Sequence, residues 1–415
     1  MHGDLIFERE KMQGKKILDA IRIVEFGWAV VGPITCSWAG NYGAEVIKVE
    51  TNTKVDVIRT MPPFKDDQVG INTSLFFARE NTSKYSIALN LAQPEAVEVA
   101  KRLIRLSDVV LDSYTSGVMA RFGLSYEDLK KVKSDIIMIS SCMYGQTGAY
   151  RSMPGYGVPL TAISGLTEIC GWPDREPTGP YGSYTDYLVP RFNLLAVIAA
   201  LDYRRRTGKG LYLDASQYEI SVQFISPLLL DYVVNKRINT RQGNSCPYAA
   251  PHGVYRCHGN DRWCAITVFN DEQWNGFCKA VGNLGWTQES KFSTILSRKK
   301  HEEELDRLIE EWTMEHTAEE VMIIMQRYGV PAGVLNNGED LGNDPQLKHR
   351  HYYKRLDHPE MGAVDYASHS IQFSNSPQEV FRSPCLGEHT EHVCKNIIGL
   401  SDDEFETYSA KGAFE

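Results

Sequence analysis

The sequence has no GxxxxGK[ST] stretch, so ATP-driven chemistry on a P-loop is not expected. It has neither HExxH nor GxSxG, which removes two common hydrolase signatures. It has no CxxC pair: nine cysteines are scattered, and the nearest two, Cys257 and Cys264, are wrongly spaced for a zinc ribbon. "HRH" (349–351) and "HTEH" (389–392) come near metal-ligand spacing without a third partner, so no metal site is expected. Basic residues are not in excess. The formal net charge is −9, which argues against a nucleic-acid or anionic-membrane partner. An anionic small molecule would have to be held by local cations or helix N-termini. Long apolar runs are missing too: the longest, "FNLLAVIAAL" (192–201), is far too short to span a bilayer. The opening "MHGDLIFEREKMQGKK" is charged and has no apolar signal core. Together these absences predict a cytoplasmic protein with reduced thiols.

What is present is an ordinary globular composition, 42% apolar and 23% charged, over 415 residues. That length predicts two domains, or one large domain carrying a smaller insertion. The first half alternates strands and helices. "IRIVEFG" (21–27), "AEVIKVE" (44–50), "DVVLDSY" (108–114), "IIMISSCM" (136–143) and "LYLDAS" (211–216) read as strands. Helices are predicted near Pro33, over "PEAVEVAKRLIRLS" (94–107), and from about Arg191 to Arg206. This is the pattern of an α/β fold with a parallel, doubly wound sheet. From about residue 225 the character changes. "PHGVYRCHGNDRWCAITV" (251–268) predicts an antiparallel pair, and three helices follow before Tyr328. The expected division is a large domain over 1–224, a small α+β domain over 225–328, and a return to the large domain over 329–415.

Two local features could carry chemistry. "GWAVVGPITCSWAG" (27–40) sets glycines at a strand–helix turn, but not in GxGxxG order. It reads better as a helix N-terminus able to receive an anion or thioester than as a dinucleotide site. The second is "GPYGSYTDYLVPRF" (179–192), where Asp186 stands among three tyrosines with no cation or histidine within four residues. An aspartate before a helix is most often a cap. Here the helix is expected to begin only after Pro190, and the tyrosines would desolvate the carboxylate and raise its pKa.

The ordered motifs decide between these readings. "ILDAIRIVEFGWAVVGPITCSWAGNYGAEVIKVE", "VDVIR", "NTSKYSIALNL", "SDVVLDSYTSGVMARFGL", "MYGQTGAYRSMPGY", "AALDYRRRTGKG", "YGVPAGVL" and "LGEHTEHV" follow one another along nearly the whole chain. In this order they resemble the class III CoA-transferases, the family named after carnitine and bile-acid CoA-transferases and including formyl-CoA transferase. "DYLVPRF", "DYRRRTGKG" and "APHGVYRCHGNDRWCAI" further resemble the benzylsuccinate CoA-transferase branch, which takes succinyl-CoA as donor.

The resemblance implies a role for Asp186: counting back from Ala199-Ala200-Leu201 lands the family's nucleophile on it. A carboxylate is already ionised at neutral pH and needs no adjacent base. It would attack an acyl-CoA to give an aspartyl anhydride, then an aspartyl-CoA thioester that an acceptor acid resolves. No cofactor is implied beyond the coenzyme A thioester itself. The CoA contacts carried over are Val30, Val31, Leu89, Ser113, Tyr114 and Arg121. Gly145 and Gln146 would flank the oxyanion, and Tyr144, Tyr156 and Tyr184 would line a pocket for a bulky or aromatic acid such as benzylsuccinate. The family fold implies a Rossmann-like large domain and an interlocked dimer, or a heteromer with a related subunit.

This sequence departs from the family pattern in several places. Ser113 replaces an asparagine, Thr51 stands where a basic residue is common, and Pro190 replaces a glycine. The glycine-rich flap before "CPYAAPHGVY" is absent. Two alternatives remain: an α-methylacyl-CoA racemase, whose corresponding segment carries a histidine missing from "SMPGYGVPL", and a catalytically silent partner subunit, against which the retained Asp186 argues.

Overall fold

The computed structural model describes residues 16–368 and 370–415, and most of the charged opening stretch lies outside them. The apolar runs become strands β1 (Arg22–Phe26), β2 (Glu45–Glu50), β3 (Lys84–Ala88), β4 (Val109–Asp112), β5 (Ile137–Cys142) and β6 (Tyr212–Ser216). They form one sheet in the order β3-β2-β1-β4-β5-β6, and every pairing is parallel. Five helices of this unit matter below: α1 (Val31–Asn41), α2 (Pro94–Arg105), α3 (Gly157–Ile163), α4 (Tyr184–Thr207) and α5 (Ser226–Asn235).

A parallel sheet is covered on both faces, which is why apolar residues such as Val109, Val110 and Leu111 of β4 run without alternation. Alternate residues serve opposite faces. Val24, Phe26, Val110 and Met138 pack with Val99 and Leu103 of α2. Ile23, Val109, Ile137 and Ile139 pack with Cys36 and Ala39 of α1 and Leu194 and Val197 of α4. Each such fully buried aliphatic side chain contributes about 1.5–3 kcal/mol. The strand order reverses between β1 and β4, and in open α/β sheets ligands bind in the crevice outside the carboxyl ends at that point.

That edge of the sheet is built from buried charge. Lys48 of β2 donates to the Gly27 carbonyl at 2.8 Å and to Asp56 at 3.1 Å, and lies 3.4 Å from Glu25 of β1. Lys84 of β3 pairs with the other Glu25 oxygen at 2.8 Å and donates to the Pro33 carbonyl at 2.8 Å. Glu25, Lys48 and Lys84 are fully buried. Beside them, Glu50 accepts a bidentate pair from Arg59 at 2.9 and 2.8 Å, and the Arg59 guanidinium lies 3.5 Å from the centre of the Phe77 ring. Burial alone would raise the Glu50 carboxyl, but Arg59 and the other partners hold it at about 2. "VDVIR" therefore has a structural meaning: Asp56 and Arg59 neutralise charges that the strands bury.

The chain divides into two compact units. The first comprises the described residues up to Thr167, Gly179–Arg237 and Lys348–Glu415, and the second Glu168–Thr178 with Ile238–Leu347. These limits differ from the division at 225 and 328 drawn from the sequence. α5 belongs to the first unit. β9 (Ala332–Val334), expected to return to the large domain, instead pairs antiparallel with β8 (Trp263–Thr267), which pairs with β7 (His252–Arg256). Glu168–Thr178 joins this unit through bonds such as Gly243 N–H to the Gly171 carbonyl at 2.9 Å. α6 (Asp271–Ala280), α7 (Glu302–Thr313) and α8 (Ala318–Arg327) cover its sheet. Its core buries Trp274, Phe277, Phe292, Leu305 and Val321. Arg298 is buried there as well, 4.4 Å from the Trp274 ring centre and donating to the Ala250 and Phe292 carbonyls at 2.8 and 3.0 Å.

Candidate active site

A cavity of about 640 Å³ opens at the carboxyl ends of the parallel strands. The loop after β1 supplies Gly27–Val31, β2 ends at Glu50 and Thr51 follows it, the segment after β3 adds Leu89, and the loop after β4 adds Ser113 and Tyr114. β5 ends at Cys142, followed by Met143 and Tyr144. The cavity thus sits in the crevice that the strand order predicts. Asp186 reaches it from the first turn of α4, beside Gly155, Tyr156 and Gly157.

The structure gathers most of the residues picked out in the sequence. Val30, Val31, Leu89, Ser113, Tyr114, Arg121, Tyr144, Tyr156 and Asp186 all line this one cavity. Tyr184, Gly145 and Gln146 do not line it. Tyr184 is the first residue of α4 and 41% exposed. Gly145 takes a φ of +80°, a turn conformation suited to glycine. It leads into Gln146, whose N–H is spent on the Asp214 carboxylate at 2.9 Å, so this pair does not offer the expected oxyanion donor. Ser113 is engaged as well. Its hydroxyl accepts from the Trp28 N–H at 2.8 Å and donates to the Trp28 carbonyl at 3.1 Å, stapling the β4 loop to the β1 loop.

α4 begins earlier than the sequence predicts. It runs from Tyr184 straight through Pro190 instead of starting after it. Proline has no N–H and crowds the carbonyl four residues back. At this position that carbonyl belongs to Asp186. The first turn therefore lacks one helical hydrogen bond at the residue of interest.

Asp186 is 9% exposed, and burial pushes its carboxyl up to about 6, opposed only by a hydrogen bond from the Ser183 side chain. The tyrosines contribute less to this burial than the sequence suggests: Tyr181 is 89% exposed. The close neighbour is Gly157. A Cβ built there would stand 2.5 Å from Asp186 Oδ2 and 2.6 Å from its Cγ, so the carboxylate lies directly on the glycine backbone. Two other buried carboxyls reach similar values. Asp112 is pushed up to about 6, but its oxygens are taken by the Ser140 hydroxyl at 2.5 Å and the Tyr114 N–H at 3.2 Å. Glu80 is pushed up to about 7 and pairs with Arg79. Of the three, Asp186 is the one that lines the large cavity.

One further lining residue was noted in the sequence only as a departure, and others were missed. Thr51, which stands where a positive charge is common, lines the cavity and donates to the Glu415 carbonyl at 2.7 Å. Lys54, three residues on, lines it too, its ammonium 5.2 Å from the Trp28 ring centre. Arg151 and Gly157 line it as well. No spacing rule marks them: Lys54 and Arg151 are brought in by loops and Gly157 by the first turn of α3. Among the described residues no group of three metal-ligating side chains occurs, and no helix is long and apolar enough to cross a membrane.

The raised Asp186 carboxyl has a consequence for stability. The ordinary aspartate value is 3.8 and the folded value about 6. The native state therefore binds more protons than the unfolded state across that window, and stability falls as pH rises through it. Raising a carboxyl over that interval costs the ionised native state about 3 kcal/mol. Asp186→Asn should be more stable than the parent in denaturant unfolding at pH 8, with the difference disappearing toward pH 4. Asp112 and Glu80 are present in both proteins and cancel. Equal midpoints at both pH values would contradict the desolvated carboxyl.

Comparisons with known proteins show the family. Residues 18–390 match the family described as CoA-transferase family III. Succinyl-CoA–D-citramalate CoA-transferase of Chloroflexus aurantiacus is 31% identical over 395 residues, covering 95% of this chain and 97% of that protein. Succinyl-CoA:glutarate CoA-transferase of Mus musculus is 29% identical over 403 residues, covering 96% and 91%. The crystal structure of a CaiB/BaiF family protein from Brucella suis superposes with a TM-score of 0.83 at 27% identity, covering 92% of this chain and all of that one. The chain belongs to CoA-transferase family III and is a class III CoA-transferase.

Proposed function

We propose that Asp186 is the nucleophile of a CoA transfer from succinyl-CoA to a second dicarboxylic acid. The observation that carries the reading is a buried carboxylate, open to the cavity at the strand crossover, with no cation or base among the causes of its raised pKa. Such a group is deprotonated above about pH 6 and less solvated than in water, so it can attack directly.

The steps balance without a cofactor. Asp186 attacks the donor thioester carbonyl, the C–S bond breaks, and an aspartyl–acyl anhydride forms beside CoA thiolate. The thiolate attacks the aspartyl carbonyl, releasing the donor acid and leaving an aspartyl-CoA thioester. The acceptor carboxylate reverses both steps and departs as the new acyl-CoA. One thioester replaces another, which is why no ATP site is needed. The oxyanions require a hydrogen-bond donor. Val30, Val31, Leu89, Ser113 and Tyr114 form the CoA wall in this reading, with Arg121 and Lys54 for its phosphates.

The acceptor class rests on two supports. The Chloroflexus aurantiacus and Mus musculus relatives are both named for succinyl-CoA and a dicarboxylic acid. Arg151 is the cation on the wall between Cys142 and Gly157, suited to a distal carboxylate. The aromatic acceptor of the benzylsuccinate branch has less support, because Tyr184 lies outside the cavity lining. The racemase alternative is also disfavoured. No histidine stands among the lining residues, and the cavity acids Glu50 and Asp56 are committed to Arg59 and Lys48.

A second copy of the chain is the proposed partner. On α4, Leu195 and Ile198 are 64% and 43% exposed, and on α5 Leu230, Val233 and Val234 are 60%, 54% and 73% exposed. Apolar residues concentrated on exposed helix faces mark an interaction surface. At micromolar concentration the purified chain should sediment as a dimer. A monomer would count against the paired assembly, and a dimer formed only on adding a related subunit would favour the heteromer.

Mass-resolved CoA exchange from succinyl-CoA to glutarate, citramalate, benzylsuccinate and simple monocarboxylates tests the substrate class. Dicarboxylates should be converted fastest. Arg151→Gln should raise their KM about tenfold, a typical worth for a lost charged hydrogen bond, while leaving monocarboxylates unchanged. Asp186→Asn should lose orders of magnitude in kcat while still binding the CoA ester. Near-normal turnover by the Asn variant would overturn the nucleophile assignment.

A further inference from the structure

The first turn of α4 carries Asp186 and is short of a helical hydrogen bond because of Pro190. Something else must hold it. The neighbouring element is the first turn of α3. The Thr161 hydroxyl donates to the Gly157 carbonyl at 2.8 Å. The Thr185 hydroxyl lies 3.2 Å from Thr161 Oγ1 and 3.4 Å from the same carbonyl. With one proton each, Thr161 serves the carbonyl, and Thr185 donates into the pair they form. Both threonines are buried, and Thr185 directly precedes Asp186.

Gly157 closes the arrangement from the other side. An added Cβ would meet not only the Asp186 carboxylate but also Ser183 Cβ at 2.2 Å. Ser183 Cβ cannot swing away, because it is fixed to the backbone at the N-cap of α4, and the carboxylate could yield only by moving from its present position. The glycine is required for close approach, and no positive φ is involved.

We infer that Gly157, Thr161 and Thr185 form a latch that positions the Asp186 carboxylate. They are positioning residues, acting through Asp186, and the inference rests on Asp186 being the nucleophile. The latch fixes the carboxylate from two directions. The threonine pair ties the turn that carries it to α3, and the bare glycine backbone sets how deep it sits. A displacement of about 1 Å at a reacting atom costs about 10²-fold in rate. The binding of the CoA moiety, which relies on the β1 and β4 loops, is left untouched.

The test is steady-state kinetics on Gly157→Ala, Thr185→Val, Thr185→Ser and Asp186→Asn, with thermal melting of each. Gly157→Ala should lose about 10²-fold in kcat with KM for the acyl-CoA within about threefold of the parent. Thr185→Val should lose about tenfold in kcat, and Thr185→Ser, which keeps the hydroxyl, should restore most of it. Because the threonine variants leave the glycine contact intact, they remain informative if Gly157→Ala does not fold. Thr185→Val with parental kcat, or Thr185→Ser no better than Thr185→Val, would overturn the latch. If those variants are fully active while Asp186→Asn is dead, the latch fails and the nucleophile stands. If Asp186→Asn is fully active, both fail.

Discussion

The Glu25 carboxylate, held between the Lys48 and Lys84 ammonium groups, is the interaction on which the site depends. All three side chains are fully removed from water. Removing one partner from such a cluster leaves an unpaired buried charge and costs about 3–5 kcal/mol. An apolar replacement of the whole cluster could be as stable, so its value is positional. Lys48 also grips the Gly27 carbonyl and Lys84 the Pro33 carbonyl. Asp56, paired with Lys48, accepts from the Ala29 N–H, where the chain takes a φ of +60°. The loop that opens the cavity is thereby fastened at three backbone points to charges the sheet cannot release.

The stretch that carries Asp186 is held differently. Asp186 is held by close packing rather than by charge. Burial raises its carboxyl, a proline deprives its carbonyl of a helical partner, and a glycine admits it to a space where a methyl group would collide. Each of these features costs stability, and they coincide at one residue. The buried charge cluster fixes the loop after β1, and close packing fixes the desolvated carboxylate on the same cavity.

Much of this was legible in the sequence, for identifiable reasons. Strands buried on both faces announce themselves as apolar runs, so five of the six strands of the sheet were readable from "IRIVEF", "EVIKVE" and their successors, while β3, with Lys84 and Ser86 in its five residues, was not. Asp186 could be located because a motif at fixed distance marked it. Other features were hidden. Pro190 gave a start signal for α4 that tertiary packing overrode. "GVPAGVL" reads equally well as a return to the parallel sheet, and only its pairing with β8 settles its place. Lys48 and Glu25 look like solvent-facing alternation until their partners from "VDVIR" and β3 are brought in. Gly157 is one glycine among 33, and its meaning depends on a residue 29 positions away.

The central claim is that the acceptor's oxygen passes through Asp186. In the anhydride formed from aspartyl-CoA and the acceptor, the bridging oxygen comes from the acceptor, and thiolate attack on the acyl carbon leaves it on the aspartate. The decisive measurement is turnover with succinyl-CoA and an acceptor whose carboxylate carries ¹⁸O, followed by mass analysis of the peptide containing "GSYTDYLVPRF". The account predicts ¹⁸O in the Asp186 carboxyl of the resting enzyme, at a level that grows with turnover and is absent without donor. Active exchange of CoA with no label on Asp186 would contradict it.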